Sequence, residues 1–160
     1  MVDDRRKFCK GTPTCTWSSW GQSRYWTFKR GRTSKIHLAV DSIGRPLKVI
    51  ITAGTVNDCT KAIELIEDIR TKGLIADRGY DTNSIIENAI KSNMKVVIPS
   101  KRNRKIQRDY DKDVYKIRHL VENAFLILKR WRGIATRYAK NTKSFLSAVY
   151  IRCIAAWNCS

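Results

Sequence analysis

The chain has 160 residues, 42% of them hydrophobic, which suffices for one domain with a proper core and excludes two ordinary ones. Its 32 Lys and Arg stand against 14 Asp and Glu, a formal charge of +18 that solubility alone does not require. Such a charge points to a polyanionic partner, nucleic acid first, because each neutralised phosphate releases condensed counterions; a cationic RNA-binding structural protein is the alternative that charge leaves open.

No apolar run is long enough to span a membrane. The opening "MVDDRRKFCKGTPTCTW" lacks the apolar region of a signal peptide, so a cytoplasmic chain is expected. The five cysteines, Cys9, Cys15, Cys59, Cys153 and Cys159, form no CxxC pair and are odd in number, which argues against a disulfide framework or a structural zinc. His37 and His119 are too few and too scattered for a zinc site and are expected to be structural or bystanders.

Residues 1–30 contain Trp17, Trp20 and Trp26 among Ser, Thr and Arg, with no sustained helical or strand period. From Thr33 the pattern becomes regular. "KIHLAVD" (residues 35–41) alternates apolar and polar positions, "SIGRP" turns, and "LKVIITAG" supplies a second strand, together an antiparallel hairpin. "NDCTKAIELIEDIRTKG" (57–73) reads as a covering helix, with Asp58 as N-cap, Ile63, Ile66 and Ile69 at helical spacing and Gly73 as C-cap.

"LIAD" (74–77) is a short apolar strand ending in a carboxylate. "RGYDT", the helix "NSIIENAIKSN" and the strand "KVVIP" follow, making a βαβ unit with parallel strands. Ligand and catalytic groups gather at the carboxyl ends of such strands, where Asp77 lies. Residues 100–113, "SKRNRKIQRDYDKD", read as an exposed basic loop carrying Lys101, Arg102, Arg104, Lys105 and Arg108, either ordered on a phosphate backbone or a solvated linker.

"YKIRHLVENAFLILKRW" (115–131) reads as one helix with Ile117, Leu120, Val121, Ala124, Phe125 and Leu128 on its buried side. Tyr115, Arg118, Glu122 and Lys129, three, four and seven apart, fall on a different side. After "GIATRYAKNT", residues 145–157 make a final, largely apolar helix. Two carboxylates, Asp77 and Glu122, suggest divalent-metal chemistry on phosphodiesters, which needs clustered oxygen ligands. Spacing alone favours a structural reading, in which Asp77 begins a turn and Glu122 pairs with Arg118 at (i, i+4).

The string Tyr115, Arg118, Glu122, Lys129 resembles the YREK signature of the DDE transposases of bacterial insertion sequences at all four positions. The resemblance extends through "TSKIHLAVDSIGRPLKVIITAGTVND", "LIADRGYDT" and "VVIPSKRNRKIQRDYDKDVYKIRHLVENAFLILKRWRGIATRYAK", and is to the superfamily of insertion sequences four and five. It implies an α/β ribonuclease-H-like fold, a mixed sheet flanked by helices, that cuts and joins DNA at transposon ends with Mg²⁺ held by Asp, Asp and Glu. Asp77 matches the second Asp and Glu122 the Glu, as catalytic and metal-binding residues. Tyr115, Arg118 and Lys129 match the signature and phosphate-binding positions, and the basic loop falls to DNA binding.

The first catalytic Asp is the departure, since no segment similar to "IDGS" precedes "TSKIH". Asp41 falls in the hairpin turn, and Asp3 and Asp4 lack a strand around them. Read one base later, suitable codons for residues 3–30 encode a segment like the missing one, its Asp spanning the codons of Arg5 and Arg6.

The expectation is therefore a frameshifted or missing N-terminal part: a non-native or disordered segment at 1–30 and a partial catalytic domain at 31–160. The central strand should be missing, or replaced by "RYWTFK" (24–29). Impaired DNA transposition is the expected function, with a catalytically inactive DNA-binding remnant as alternative. The expected partners are DNA of transposon ends and target, a homo-oligomer being open, and no membrane.

Overall fold

The computed structural model describes Thr14–Ser19 and residues 34–158. Five strands form one mixed sheet in the order β3-β2-β1-β4-β5, from β1 (Thr14–Ser19), β2 (Ser34–Val40), β3 (Pro46–Ala53), β4 (Gly73–Ala76) and β5 (Lys95–Val97). β1 runs antiparallel to β2 and parallel to β4, and β4 is parallel to β5. The helices are α1 (Ala62–Ile66), α2 (Asn83–Lys91), α3 (Lys112–Tyr115), α4 (His119–Lys129), α5 (Arg132–Ala135) and α6 (Thr142–Asn158).

Both faces of the sheet are covered, which is why β4 reads as a continuous apolar run. Along β2, Leu38 and Val40 join Val121, Phe125, Leu128, Phe145 and Val149 beneath α4 and α6. Ala39 points the other way and packs with Leu65, Leu74, Ile85 and Ile98 beneath α1 and α2. This is the ribonuclease-H-like layering that the resemblance implies.

The β2–β3 hairpin forms as its residues dictate. The Asp41 carboxylate accepts from the Ile43 and Arg45 backbone N–H groups at 3.0 and 2.8 Å, and Gly44 N–H returns to the Asp41 carbonyl at 3.1 Å. Gly44 then takes φ +88°, a conformation open to glycine and strained for other residues. Between α2 and β5, Asn93 adopts φ 56° and Met94 N–H bonds the Ala89 carbonyl, a left-handed helix stop that turns the chain back into the sheet.

Several expectations need correction. The central position of the sheet, expected to be missing or else replaced by residues 24–29, is held by Thr14–Ser19, a segment with no strand period in the sequence; residues 24–29 lie outside the described residues. The helix foreseen over 57–73 is a 3-10 turn (Asp58–Lys61) and the five-residue α1. Asn57 rather than Asp58 caps that turn, accepting from Cys59 N–H, while Asp58 pairs with Lys35 at 2.8 Å. Gly73 is no cap but the first residue of β4, buried between β1 and β5, because the chain must return across the sheet before the apolar run begins.

The helix expected over 115–131 begins earlier, at Lys112, where Asp111 accepts from Asp113 and Val114 N–H, and passes through a 3-10 stretch (Lys116–Arg118) before α4. His37 and His119 are structural, as expected: His37 is buried with its Nε2 2.8 Å from Thr52 Oγ1, and His119 Nδ1 lies 2.7 Å from the Lys116 carbonyl. Among the described residues no helix is long and apolar enough to cross a membrane.

A methyl group on Gly44 would meet Leu120 at ordinary contact distances, 3.6 Å and beyond, so its cost comes from backbone strain rather than collision. Gly44→Ala is expected to destabilise the protein by about 1 kcal/mol, read as a lower urea midpoint at unchanged slope.

Candidate active site

Asp77 follows β4 directly and stands at the head of a 3-10 turn (Arg78–Tyr80). The turn is closed by Tyr80 N–H on the Asp77 carbonyl at 2.9 Å, and the carboxylate makes no capping bond, which leaves it for the helices packed alongside. Tyr115 Oη donates to Asp77 Oδ1 at 3.3 Å. Arg118 Nη1 lies 3.2 Å from the same oxygen and 2.7 Å from Glu122 Oε1. One guanidinium nitrogen thus touches both carboxylates, which brings Asp77 and Glu122 together across 45 positions of chain.

Electrostatics follow from that geometry. Burial would lower the Arg118 pKa, but Asp77 and Glu122 outweigh it and raise it above the ordinary arginine value. Burial, and then the charge of Asp77, push the Tyr115 hydroxyl up, so it stays a donor at neutral pH. Tyr110 packs edge-on against Tyr115 with centroids 5.4 Å apart, and the Arg118 guanidinium sits 5.8 Å from the Tyr115 ring centre. Lys129, half-buried, has its pKa lowered by desolvation and stands two turns beyond Glu122, roughly 10 Å along the helix axis.

The structural alternative open in the sequence is realised: Asp77 heads a turn, Glu122 pairs with Arg118 at (i, i+4), and the same arginine ties the two carboxylates together. Such a pair of carboxylates with a cation between them suits phosphate chemistry, where positive charge must sit against phosphodiester oxygens. Two hard cations need more oxygen ligands than this. Register places Trp17 opposite Ala76, so Ser18 is level with Asp77, and β1 contains neither Asp nor Glu. Among the described residues no group of three or more His, Cys, Asp or Glu could hold a metal ion. The described residues do not fit a two-ion centre.

The basic segment is not a free loop. Asp81, its side chain fully buried, accepts from Lys101 N–H at 2.8 Å and from Arg104 Nε at 2.6 Å, and is paired with Arg108 through its other oxygen. Arg104 also reaches Asn83 Oδ1 at 2.8 Å, Arg108 N–H bonds Ser100 Oγ, and Gln107 Nε2 spans the Lys101 and Arg104 carbonyls. The segment is thus ordered by the protein itself, which corrects the expectation of a linker or a loop folded only by DNA. Asp81 was missed in the sequence: it lies in the quoted "RGYDT", but its partners are 20 to 27 positions away and no local pattern announces them.

Two outcomes follow. Burial would raise the Asp81 pKa, but the Lys101 N–H and the Arg108 and Arg104 guanidinium groups outweigh it and hold the carboxyl below its ordinary value. Its stabilisation is then complete above the unfolded carboxyl value of about 3.9 and fades as pH falls below it. Asp81→Asn is expected to cost about 2 kcal/mol at neutral pH, a gap to the unsubstituted protein that should shrink in urea titrations run below about pH 4. Arg118→Ala, leaving Asp77 and Glu122 without their shared cation, is expected to cost on the order of 1 kcal/mol at this half-exposed site. Added Mg²⁺ or Mn²⁺ should raise the melting temperature of that variant more than that of the unsubstituted chain.

The family described as Transposase DDE domain matches residues 6–159. A putative transposase for insertion sequence element IS6501 of Brucella ovis is 37% identical over 128 residues, covering 78% of this chain and 98% of that protein. A putative transposase for insertion sequence element IS402 of Burkholderia cepacia is 26% identical over 140 residues, covering 78% of this chain and 63% of that protein. In three dimensions the chain is similar to the catalytic core domain of BIV integrase, with a TM-score of 0.56 at 12% identity over 91% of this chain and 83% of the other, a likeness of fold alone. With the family matched over nearly its whole length and an insertion-sequence relative covered almost end to end, this chain belongs to the DDE transposases.

Proposed function

We propose that this chain engages the DNA of insertion-sequence ends and target in the bacterial cytoplasm, while its Mg²⁺-dependent cleavage and strand transfer run near background. The family's business is DNA transposition, and its members use divalent metal. Asp77 and Glu122 are the two carboxylates of the catalytic set retained here, with Tyr115, Arg118 and Lys129 as the groups turned toward phosphate. The observation that carries the reading is the central strand: β1 occupies the place between β2 and β4 and has no carboxylate level with Asp77. Binding, by contrast, rests on distributed charge and survives the loss of a ligand.

The reading of residues 1–30 as the product of a shifted frame belongs to the same proposal. It is supported by the missing Asp, and the nucleotide sequence upstream of Gly31 tests it, since the second frame must encode an Asp-bearing strand.

Cleavage of a duplex carrying an insertion-sequence end, with Mg²⁺ added, is expected to be indistinguishable from that of Asp77→Ala or Glu122→Ala, while all three bind the duplex. Robust cleavage lost in both variants would overturn the impairment and mean that another carboxylate completes the site. Ser18→Asp, which puts a carboxylate at the register position beside Asp77, is expected to raise Mg²⁺-dependent cleavage, an increase abolished again by Glu122→Ala.

A further inference from the structure

The basic segment follows β5, whose C-terminal end lies beside that of β4, so it stands at the same edge of the sheet as Asp77. Its five cations are not equivalent. Arg104 and Arg108 are drawn inward onto the two oxygens of one fully buried carboxylate, Asp81, four residues beyond Asp77. Two guanidinium groups on one carboxylate leave the cluster a net charge of +1, but with their donors turned inward onto Asp81 neither offers its fork to a phosphate as a free arginine would. Arg102 and Lys105 are exposed and Lys101 is half-exposed; none of the three side chains takes part in the Asp81 cluster, where Lys101 contributes only its backbone N–H.

We propose that Asp81 divides the segment in two: Arg104 and Arg108 are positioning residues that fold it, and Lys101, Arg102 and Lys105 are the groups it presents to the DNA backbone. The clasp does more than hold a loop. Arg104 also holds Asn83, the first residue of α2, so the turn after β4 and the connection after β5 are joined into one rigid edge. From that edge the chain runs to Asp111, which caps α3, and so to Tyr115 and Arg118. A phosphate backbone crossing the Asp77–Glu122 pair therefore meets cations at a set distance from it rather than on a swinging arm. Because its phosphates are those of the bound duplex, the proposal rests on the DNA-binding reading above.

The test is the salt dependence of affinity for a double-stranded oligonucleotide, measured on folded single variants. Lys101→Gln, Arg102→Gln and Lys105→Gln are each expected to reduce the slope of log K against log salt by about 0.9. Arg104→Gln and Arg108→Gln should each reduce it by clearly less, while making the segment more sensitive to limited proteolysis between residues 101 and 108. Asp81→Asn should free both guanidinium groups and steepen the slope, and adding Arg104→Gln and Arg108→Gln to it should abolish that steepening. Equal losses from all five cation substitutions would overturn the division of roles.

Should the clasp variants fail to fold, the triple Lys101, Arg102 and Lys105 substitution to Gln decides alone. These are surface positions, and an unchanged slope there sinks the proposal. Absence of any salt-dependent binding by the unsubstituted chain would instead sink the DNA reading and the phosphate role of the three. The anchoring of Arg104 and Arg108 is read separately by proteolysis, where unaltered cleavage of the Asp81→Asn segment would overturn it.

Discussion

The pairing of β1 with β4 is the constraint on which the rest depends. On one side of it lies the β2–β3 hairpin, whose strands are neighbours in sequence and find each other through a five-residue turn. On the other lies the β4–α2–β5 unit, held by its own crossover helix. Nothing local joins these halves. Six residues of backbone, antiparallel to β2 and parallel to β4, complete the hydrogen bonds of both and make one sheet of two pieces. An open edge in the middle of the molecule would leave the main-chain groups of β2 and β4 unpaired under the helices, a cost that burial of apolar side chains cannot offset.

The same strand separates what the fold needs from what the proposed chemistry needs. A central strand needs backbone hydrogen bonds to both of its neighbours, and β1 makes them to β2 and β4. The carboxylate beside Asp77 is a requirement of a different kind, of one atom type at one position. "TCTWSS" meets the first requirement and not the second. Asp77 and Glu122 meanwhile share an internal cation, Arg118.

Charge is the second organising quantity. An excess of +18 suggests a surface uniformly offered to a polyanion, yet the structure assigns several cations to internal tasks. Arg118 bridges the carboxylate pair, Arg104 and Arg108 neutralise buried Asp81, Lys35 pairs with Asp58, and Arg45 lies over the Trp157 ring, tying the last helix to the hairpin. A count of Lys and Arg therefore overstates what is available to phosphates, since compensated cations release few counterions.

Much of the architecture was legible along the chain because its determinants are local. Alternation in residues 35–41, Gly44 and Asp41 in the turn, the apolar run before Asp77 and the helical stripe of Val121, Ala124, Phe125 and Leu128 each act within a few residues. The spacing of Tyr115, Arg118 and Glu122 was likewise enough to place them on one side of a helix. What tertiary structure alone decided were the pairings across long stretches of chain: which segment closes the sheet, that Gly73 starts a strand instead of ending a helix, and that Asp81 gathers Arg104 and Arg108. Those choices depend on which unsatisfied backbone group or buried charge lies nearby after collapse, and that neighbour stands 20 or more positions away, where no local period can register it.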